Sequence, residues 1–202
     1  MSMSELHKPE WYGECAIISD KYNDYVQIKY KCNGTGTLYD YSLFPGINLI
    51  FMDFNCSDIF HEPIPNKNII EIRHYQKGRV EFELRNNKVF HMKEGELCIN
   101  ALANVPAAYS FPFGYSVGLS CVIDKDSIDA KTKQIFSYYN IDVLNLGQEL
   151  EIEKKWFLCR TPQRLLHIFD ELYAAKGVEG KDYFRIKLLE LFYHIKQLRI
   201  ED

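Results

Sequence analysis

Apolar and polar residues alternate most cleanly in the middle of the chain, between Lys67 and Leu102. From Arg79 to Arg85, apolar Val80, Phe82 and Leu84 interleave with charged Glu81, Glu83 and Arg85. A period of two over that length is the pattern of a strand with one buried face. Ile69 to Gln76 precedes it as another strand, and Lys77-Gly78 punctuates the two. Asn86-Asn87 follows, and Asn tolerates the left-handed backbone of a tight hairpin turn. Lys88 to Met92 returns as a third strand, Glu94-Gly95 turns the chain, and Leu97 to Asn100 is a fourth. Strands joined by such short turns must pair antiparallel, because parallel pairing needs a long crossover. The stretch predicts the middle of a small antiparallel barrel or sandwich.

The pattern extends in both directions. Cys15 to Asp20, Tyr25 to Lys31, Thr37 to Leu43 and Ile47 to Phe54 are strand candidates, with a turn at Asn33 to Gly36 and another at Pro45-Gly46. The first of these turns is no phosphate loop, since no Lys-Ser/Thr follows at the right spacing. Phe60 to Asn68 reads as a proline-containing loop and Ala101 to Pro106 as a connection. Tyr109 to Phe113 and Tyr115 to Ile123 complete a barrel-sized set. After Ile123 the period changes. Asp124 or Asp126 can cap a helix running to about Tyr138, and Ile141 to Leu150 reads as a short helical turn or an irregular segment. Thr161 at the N-cap and Pro162 at the first helical position predict a second helix, with Leu165, Leu166, Ile168, Phe169, Leu172 and Tyr173 as its apolar stripe. Gly177 to Gly180 breaks it, and a last helix runs from Lys181 to about Arg199. The predicted fold is mainly β (α+β): an antiparallel β-barrel or sandwich over residues 1–123, and a helical segment over 124–202 packed on it as one compact unit.

Parts of this pattern resemble a known family. The run from Ile69 to Leu84 (IIEIRHYQKGRVEFEL), followed by a turn and then Gly95 to Asn100 (GELCIN), is similar to the N-terminal domain of AraC-type (AraC/XylS) transcription regulators. The resemblance continues through Leu43 to Phe54, Pro106 to Gly114 and the C-terminal helices, and so covers most of the chain. It implies a cupin-like barrel that binds a small-molecule effector and a domain that forms homodimers. The family's DNA-binding half, with two helix-turn-helix units, has no counterpart in these residues. The resemblance therefore implies DNA contact only through a C-terminal domain missing from this chain. A truncated piece is preferred to a natural stand-alone sensor.

Composition narrows the picture. The 202 residues, 47% of them apolar, suffice for one domain with a sizeable core. A formal charge of -4 and a pI near 5.9 argue against a nucleic-acid binder acting alone. The six cysteines lack CxxC spacing, no secretion segment precedes them, and no apolar run approaches the length of a membrane span. Reduced cysteines in a cytoplasmic protein, several buried as small hydrophobes, are expected.

Candidate chemistry is sparse. A metal-dependent cupin enzyme needs imidazoles converging from neighbouring strands, usually with a carboxylate. The central run holds only His74 and His91, with no HxH; His61 lies in the proline-containing loop, and His167 and His194 lie on helices. No nucleophile elbow or dinucleotide fingerprint is present. Glu81 and Glu83 share a strand face and read as solvated. Neither metal, cofactor nor catalysis is expected. The rivals are a cupin-type enzyme such as a sugar isomerase and a ligand-free oligomerisation module.

Two groups of residues stand out instead. Glu71, Arg73 and Tyr75 share one face of a strand, opposite Ile70, Ile72 and His74. If that face points inward, it offers a carboxylate, a guanidinium and a phenol to a concave space that Tyr109, Phe111 and Phe113 could wall, the usual makeup of a small-ligand pocket. If it points outward, Glu71 and Arg73 pair in solvent and the interior is lined by Ile70, Ile72 and His74. The candidate ligand-binding residues are Glu71, Arg73, Tyr75 and Tyr109, and sugars, small acids and aromatic compounds all fit them. The last helix carries Phe184, Leu188, Leu191, Phe192 and Ile195, with Ile186, Leu189 and Leu198 besides, more apolar surface than one stripe needs. Surplus apolar surface near a chain end suits a partner, and the equivalent helices of the resembled family make the dimer contact. These five residues are the candidate dimerisation contact.

Overall fold

A computed structural model describes residue 12 and residues 16–60, 68–84, 89–101 and 106–200. Eleven strands and three α-helices follow one another as β1 (Ala16–Lys21), β2 (Val26–Tyr30), β3 (Gly34–Phe44), β4 (Ile47–Cys56), β5 (Asp58–Phe60), β6 (Ile69–Leu84), β7 (Val89–Lys93), β8 (Glu96–Ala101), β9 (Pro106–Ser110), β10 (Ser116–Asp124), α1 (Ala130–Tyr138), β11 (Phe157–Arg160), α2 (Gln163–Ala175) and α3 (Lys181–Ile195). A 3-10 turn at Gln148–Leu150 lies between α1 and β11. All pairings are antiparallel. The main sheet runs β1-β2-β3-β4-β10-β6-β8-β11, and β6 extends beyond it to pair with β7 and β9, with β5 outside β9.

The organising element is β6. Lys77-Gly78 and Glu94-Gly95 do not turn the chain into separate hairpin strands as the sequence suggests. Ile69 to Leu84 is one strand that leaves the main sheet near Gly78 and enters the smaller one. β7 and β8 run back along it end to end, pairing with residues 79–83 and 70–74 respectively. Gly78 has φ +87, and a Cβ there would stand 2.5 Å from the Tyr115 carbonyl oxygen. A hairpin turn and a bulge both ask for a residue that adopts positive φ, so local sequence does not separate them. The register of β10 against β6 slips between Val117 and Gly118, which leaves Gln76, two residues before Gly78, as the extra residue of a bulge.

The curl gives the sheet two buried faces. One packs on the helices: Ile70 and Ile72 of β6, Leu97 and Ile99 of β8, Leu119, Cys121 and Ile123 of β10, and Leu49 and Phe51 of β4 meet Leu165, Ile168 and Phe169 of α2 and Phe184, Leu188, Leu191 and Phe192 of α3. The other lies inside the curl, where Ile28, Leu38, Ile50, Phe54 and Val122 of the main sheet face Ile59, Val80, Phe82, Met92 and Phe111. The segment after residue 123 is not purely helical, because β11 pairs with β8 and lengthens the main sheet.

Helix starts differ from expectation. α1 is capped by Asp129, whose Oδ1 accepts from the Thr132 amide, while Asp124 accepts from the Asp126 amide and the Ser127 hydroxyl in the turn before it. At α2, Pro162 occupies the cap position without a side-chain bond, and Thr161 is buried. Cys56, Cys98 and Cys121 are buried, and Cys32 and Cys159 are half-buried.

Candidate functional site

Strand alternation sorts β6 cleanly. Ile70, Ile72 and His74 face the helices, and Glu71, Arg73 and Tyr75 face the inside of the curl. Glu71 and Arg73 retain only 5% and 6% exposure. The inward face is therefore the polar one, and the arrangement with Ile70 and Ile72 lining the interior does not occur.

The neighbouring strands complete the site. Asn100 stands opposite Glu71 and Cys98 opposite Arg73 on β8, while Ser120 stands opposite Arg73 and Gly118 opposite Tyr75 on β10. Arg73 Nε lies 2.6 Å from Glu71 Oε1, and the Ser120 hydroxyl donates to the same oxygen at 2.5 Å. Arg73 Nη2 donates to the Tyr109 hydroxyl at 3.1 Å, so β9 reaches the site from the smaller sheet. The guanidinium carbon lies 5.0 Å from the Phe82 ring centroid and 5.5 Å from that of Tyr109, within cation–π range. Phe82 in turn meets Phe90 and Trp156, at 6.1 and 5.6 Å between ring centroids. Tyr75 lies over the β10 backbone, where a Cβ on residue 118 would stand 2.6 Å from the ring; only glycine admits that approach.

Burial dominates the electrostatics. It works against the Arg73 guanidinium, but the Glu71 charge and hydrogen bond together with Tyr109 and Tyr75 outweigh it and hold Arg73 protonated above its ordinary value. Burial also raises the Tyr75 and Tyr109 phenols and pushes the Cys98 thiol up to about 12, so all three stay neutral. Several polar atoms are left over. Glu71 Oε2, Arg73 Nη1 and Asn100 Oδ1 are buried without a hydrogen-bond partner among the described residues, and so is the Trp156 indole nitrogen. Native interiors rarely leave such atoms unpaired. Those of Glu71, Arg73 and Asn100 lie on neighbouring positions of two paired strands, so hydrogen-bonding capacity is left unused there.

Asn100, Ser120, Phe82 and Trp156 were not among the candidates read from the sequence. Asn100 and Ser120 sit between apolar neighbours in their strands, and only the pairing register brings them beside Glu71. Of the aromatic wall expected, Tyr109 reaches the site and Phe111 stacks on Phe54 at 5.0 Å, but Phe113 is exposed. Among the described residues no group of three His, Cys, Asp or Glu side chains is placed to hold a metal.

The helix residues lie elsewhere and play a different part. Phe184, Leu188, Leu191, Phe192 and Ile195 are buried to within 1% inside the single chain. Phe184 packs on Tyr41 and Phe51 at 4.8 and 5.6 Å, and Phe192 on Phe136 at 5.4 Å. A contact made by these five side chains across a dimer is thus corrected: they are held by the sheet and the other helices. The outer side of α3 instead exposes Ile186 and Tyr193, with Leu189 half-buried between them. Tyr138 and Tyr139 at the end of α1 are exposed as well, and Lys196 joins the two helix ends, lying over the Tyr193 ring and donating to the Tyr139 carbonyl.

No protein-family model and no curated protein matches the chain. Solved structures do. The AraC-like transcriptional activator CuxR is similar over 84% of this chain and 57% of its own, at 7% identity and a TM-score of 0.45. ToxT from Vibrio cholerae O395, bound to (E)-4-(8-methylnaphthalen-1-yl)but-3-enoic acid, is similar over 78% of this chain and 60% of its own, at 10% identity and a TM-score of 0.43. A Cupin_2 domain of an XRE-family transcriptional regulator from Enterobacter cloacae is similar over 44% of this chain and 94% of its own, at 12% identity and a TM-score of 0.36. The chain thus spans less than two thirds of the length of CuxR and of ToxT. Among the described residues no helix is long and apolar enough to cross a membrane.

Proposed function

We propose that this chain is the effector-sensing domain of an AraC-type transcription regulator, binding a small molecule inside the curl of the sheet. The observation that carries the reading is the buried Glu71–Arg73 pair with polar atoms still unpaired. A stabilising core has no need of such a group, since apolar residues of similar volume often serve stability as well or better. A binding site does need it, because a few fixed polar groups among aromatic walls orient a ligand. On this reading the domain is not catalytic, works in the cytoplasm, and acts on DNA only through a helix-turn-helix module outside these residues. A thermal-shift screen of small molecules tests it. Arg73→Ala and Tyr75→Phe should each weaken a stabilising compound at least several-fold. Compounds that bind both variants unchanged would place the effector elsewhere.

The same reading makes the domain a homodimer. The stripe of exposed Ile186 and Tyr193 with half-buried Leu189 at helical spacing, beside Tyr138 and Tyr139, is the apolar surface available for it. Ile186→Glu and Tyr193→Glu should give monomers in sedimentation with circular dichroism unchanged. Dimers that survive both changes put the contact on another surface.

A further inference from the structure

We infer that the interior site takes a neutral molecule, one that presents a hydroxyl or carboxamide group on an apolar ring or chain, and that it discriminates against free carboxylates and amines. The inference rests on the reading of Glu71 and Arg73 as an effector site and adds the charge of what they accept.

Charge balance is the first argument. Glu71 and Arg73 already neutralise one another at 2.6 Å. The other polar groups around them, Ser120, Asn100, Cys98, Tyr75 and Tyr109, are uncharged, the last three kept so by burial. A carboxylate taking Arg73 Nη1 would share one guanidinium with Glu71 and leave the interior a net negative charge. An ammonium taking Glu71 Oε2 would leave a net positive one. Like charges brought together in a desolvated space repel strongly, whereas a neutral group leaves the balance at zero.

Hydrogen-bond sense is the second argument. The unpaired atoms are of both kinds: Arg73 Nη1 is a donor, and Glu71 Oε2 and Asn100 Oδ1 are acceptors. Glu71 and Asn100 stand opposite one another on adjacent strands. A carboxylate only accepts, so it would satisfy Arg73 and set its lone pairs against two further acceptors. A hydroxyl accepts from Arg73 and donates to one of the two acceptors, and a primary carboxamide, with one carbonyl and two N–H donors, serves all three. Behind them Phe82 and Trp156 lie with ring centroids 5.6 Å apart, and Phe90 lies 4.7 Å from Trp156, an aromatic wall for the apolar remainder.

The test uses four matched probes, benzamide and benzyl alcohol against benzoate and benzylamine, titrated into the 15N-labelled full chain. The indole signal of Trp156, assigned through Trp156→Phe, and the amide signals of Glu71 to Tyr75 report occupancy. The neutral probes should bind about tenfold or more tighter than the charged ones, as expected for an uncompensated buried charge. Glu71→Gln removes the internal counter-ion and should invert the order, so that benzoate becomes the tightest. Should that variant fail to fold, the wild-type order decides by itself. Benzoate binding tighter than benzamide in the wild type, and lost in Arg73→Ala, would overturn the charge assignment and leave the effector site standing. Probe binding that ignores Arg73→Ala would overturn the site as well. No response from any of the four would overturn the inference too.

Discussion

On its helix-facing side β6 presents Ile70, Ile72 and His74 to a core built almost wholly from aliphatic and aromatic side chains. On its inner side, one residue out of phase, it presents Glu71, Arg73 and Tyr75 to an interior where charged and neutral polar groups meet aromatic rings. Both faces are equally dry. The first is what close packing alone produces, and it holds the sheet and helices together. The second keeps two charges out of water and leaves bonding capacity unused, which burial of apolar surface does not explain. On the proposed reading, the contrast separates the part of the molecule that supplies stability from the part that would supply recognition.

Substitutions on the two faces should break that contrast in different ways. The largest loss is expected on the helix side: Phe184→Ala removes a ring lodged between Tyr41 and Phe51 and should cost about 3–5 kcal/mol in urea unfolding. On the inner face, Arg73→Met should cost a comparable ~3–5 kcal/mol, because it strands the Glu71 carboxylate. Adding Glu71→Gln to it should restore most of that loss or more, whereas no second change of polarity rescues Phe184→Ala. If the double variant stays as unstable as the single one, the pair is structural. The smallest effect is read in pH. Burial lowers His74 to about 4, below the ordinary imidazole value of 6.5. The unfolded chain therefore binds the proton first. The stabilisation is full above about pH 6.5 and is lost as pH falls towards 4, by about 2 kcal/mol between pH 7 and 5. His74→Phe, stacked on Phe169 in its place, should flatten that part of the stability profile. An unchanged slope would assign it to other groups.

Much of this was legible in the sequence, and the remainder failed for identifiable reasons. The alternation from Arg79 to Arg85 places Val80 and Phe82 inside, as observed. Likewise Glu71, Arg73 and Tyr75 share a face on spacing alone. Which face turns inward is decided by what covers the other one, here the apolar stripes of α2 and α3, and that is a tertiary fact. The single long β6 was hidden because a glycine of positive φ beside a bulge looks like glycine at a turn. α3 misled in the opposite sense: its width of apolar residues reads as surplus for a partner, yet five of them meet the sheet, α1 and α2 at once. Asn100 and Ser120 carry no local signal, since a polar residue within an apolar strand gains meaning only from the register beside it. β11 is four residues long and was missed for want of any period to read.

The position of β10 bears on how the chain reaches its native state. It lies between β4 and β6 in the main sheet, and β11 closes the far side of β8 from later still. The β3–β4 hairpin can form from local sequence, but the centre of the sheet waits for strands more than sixty residues downstream, by the register of Cys121 against Leu49. Contacts of such long sequence separation must meet their loop-closure entropy before they yield any stability. Folding in milliseconds to seconds is therefore expected, and during synthesis β4 and β6 spend their wait with open edges.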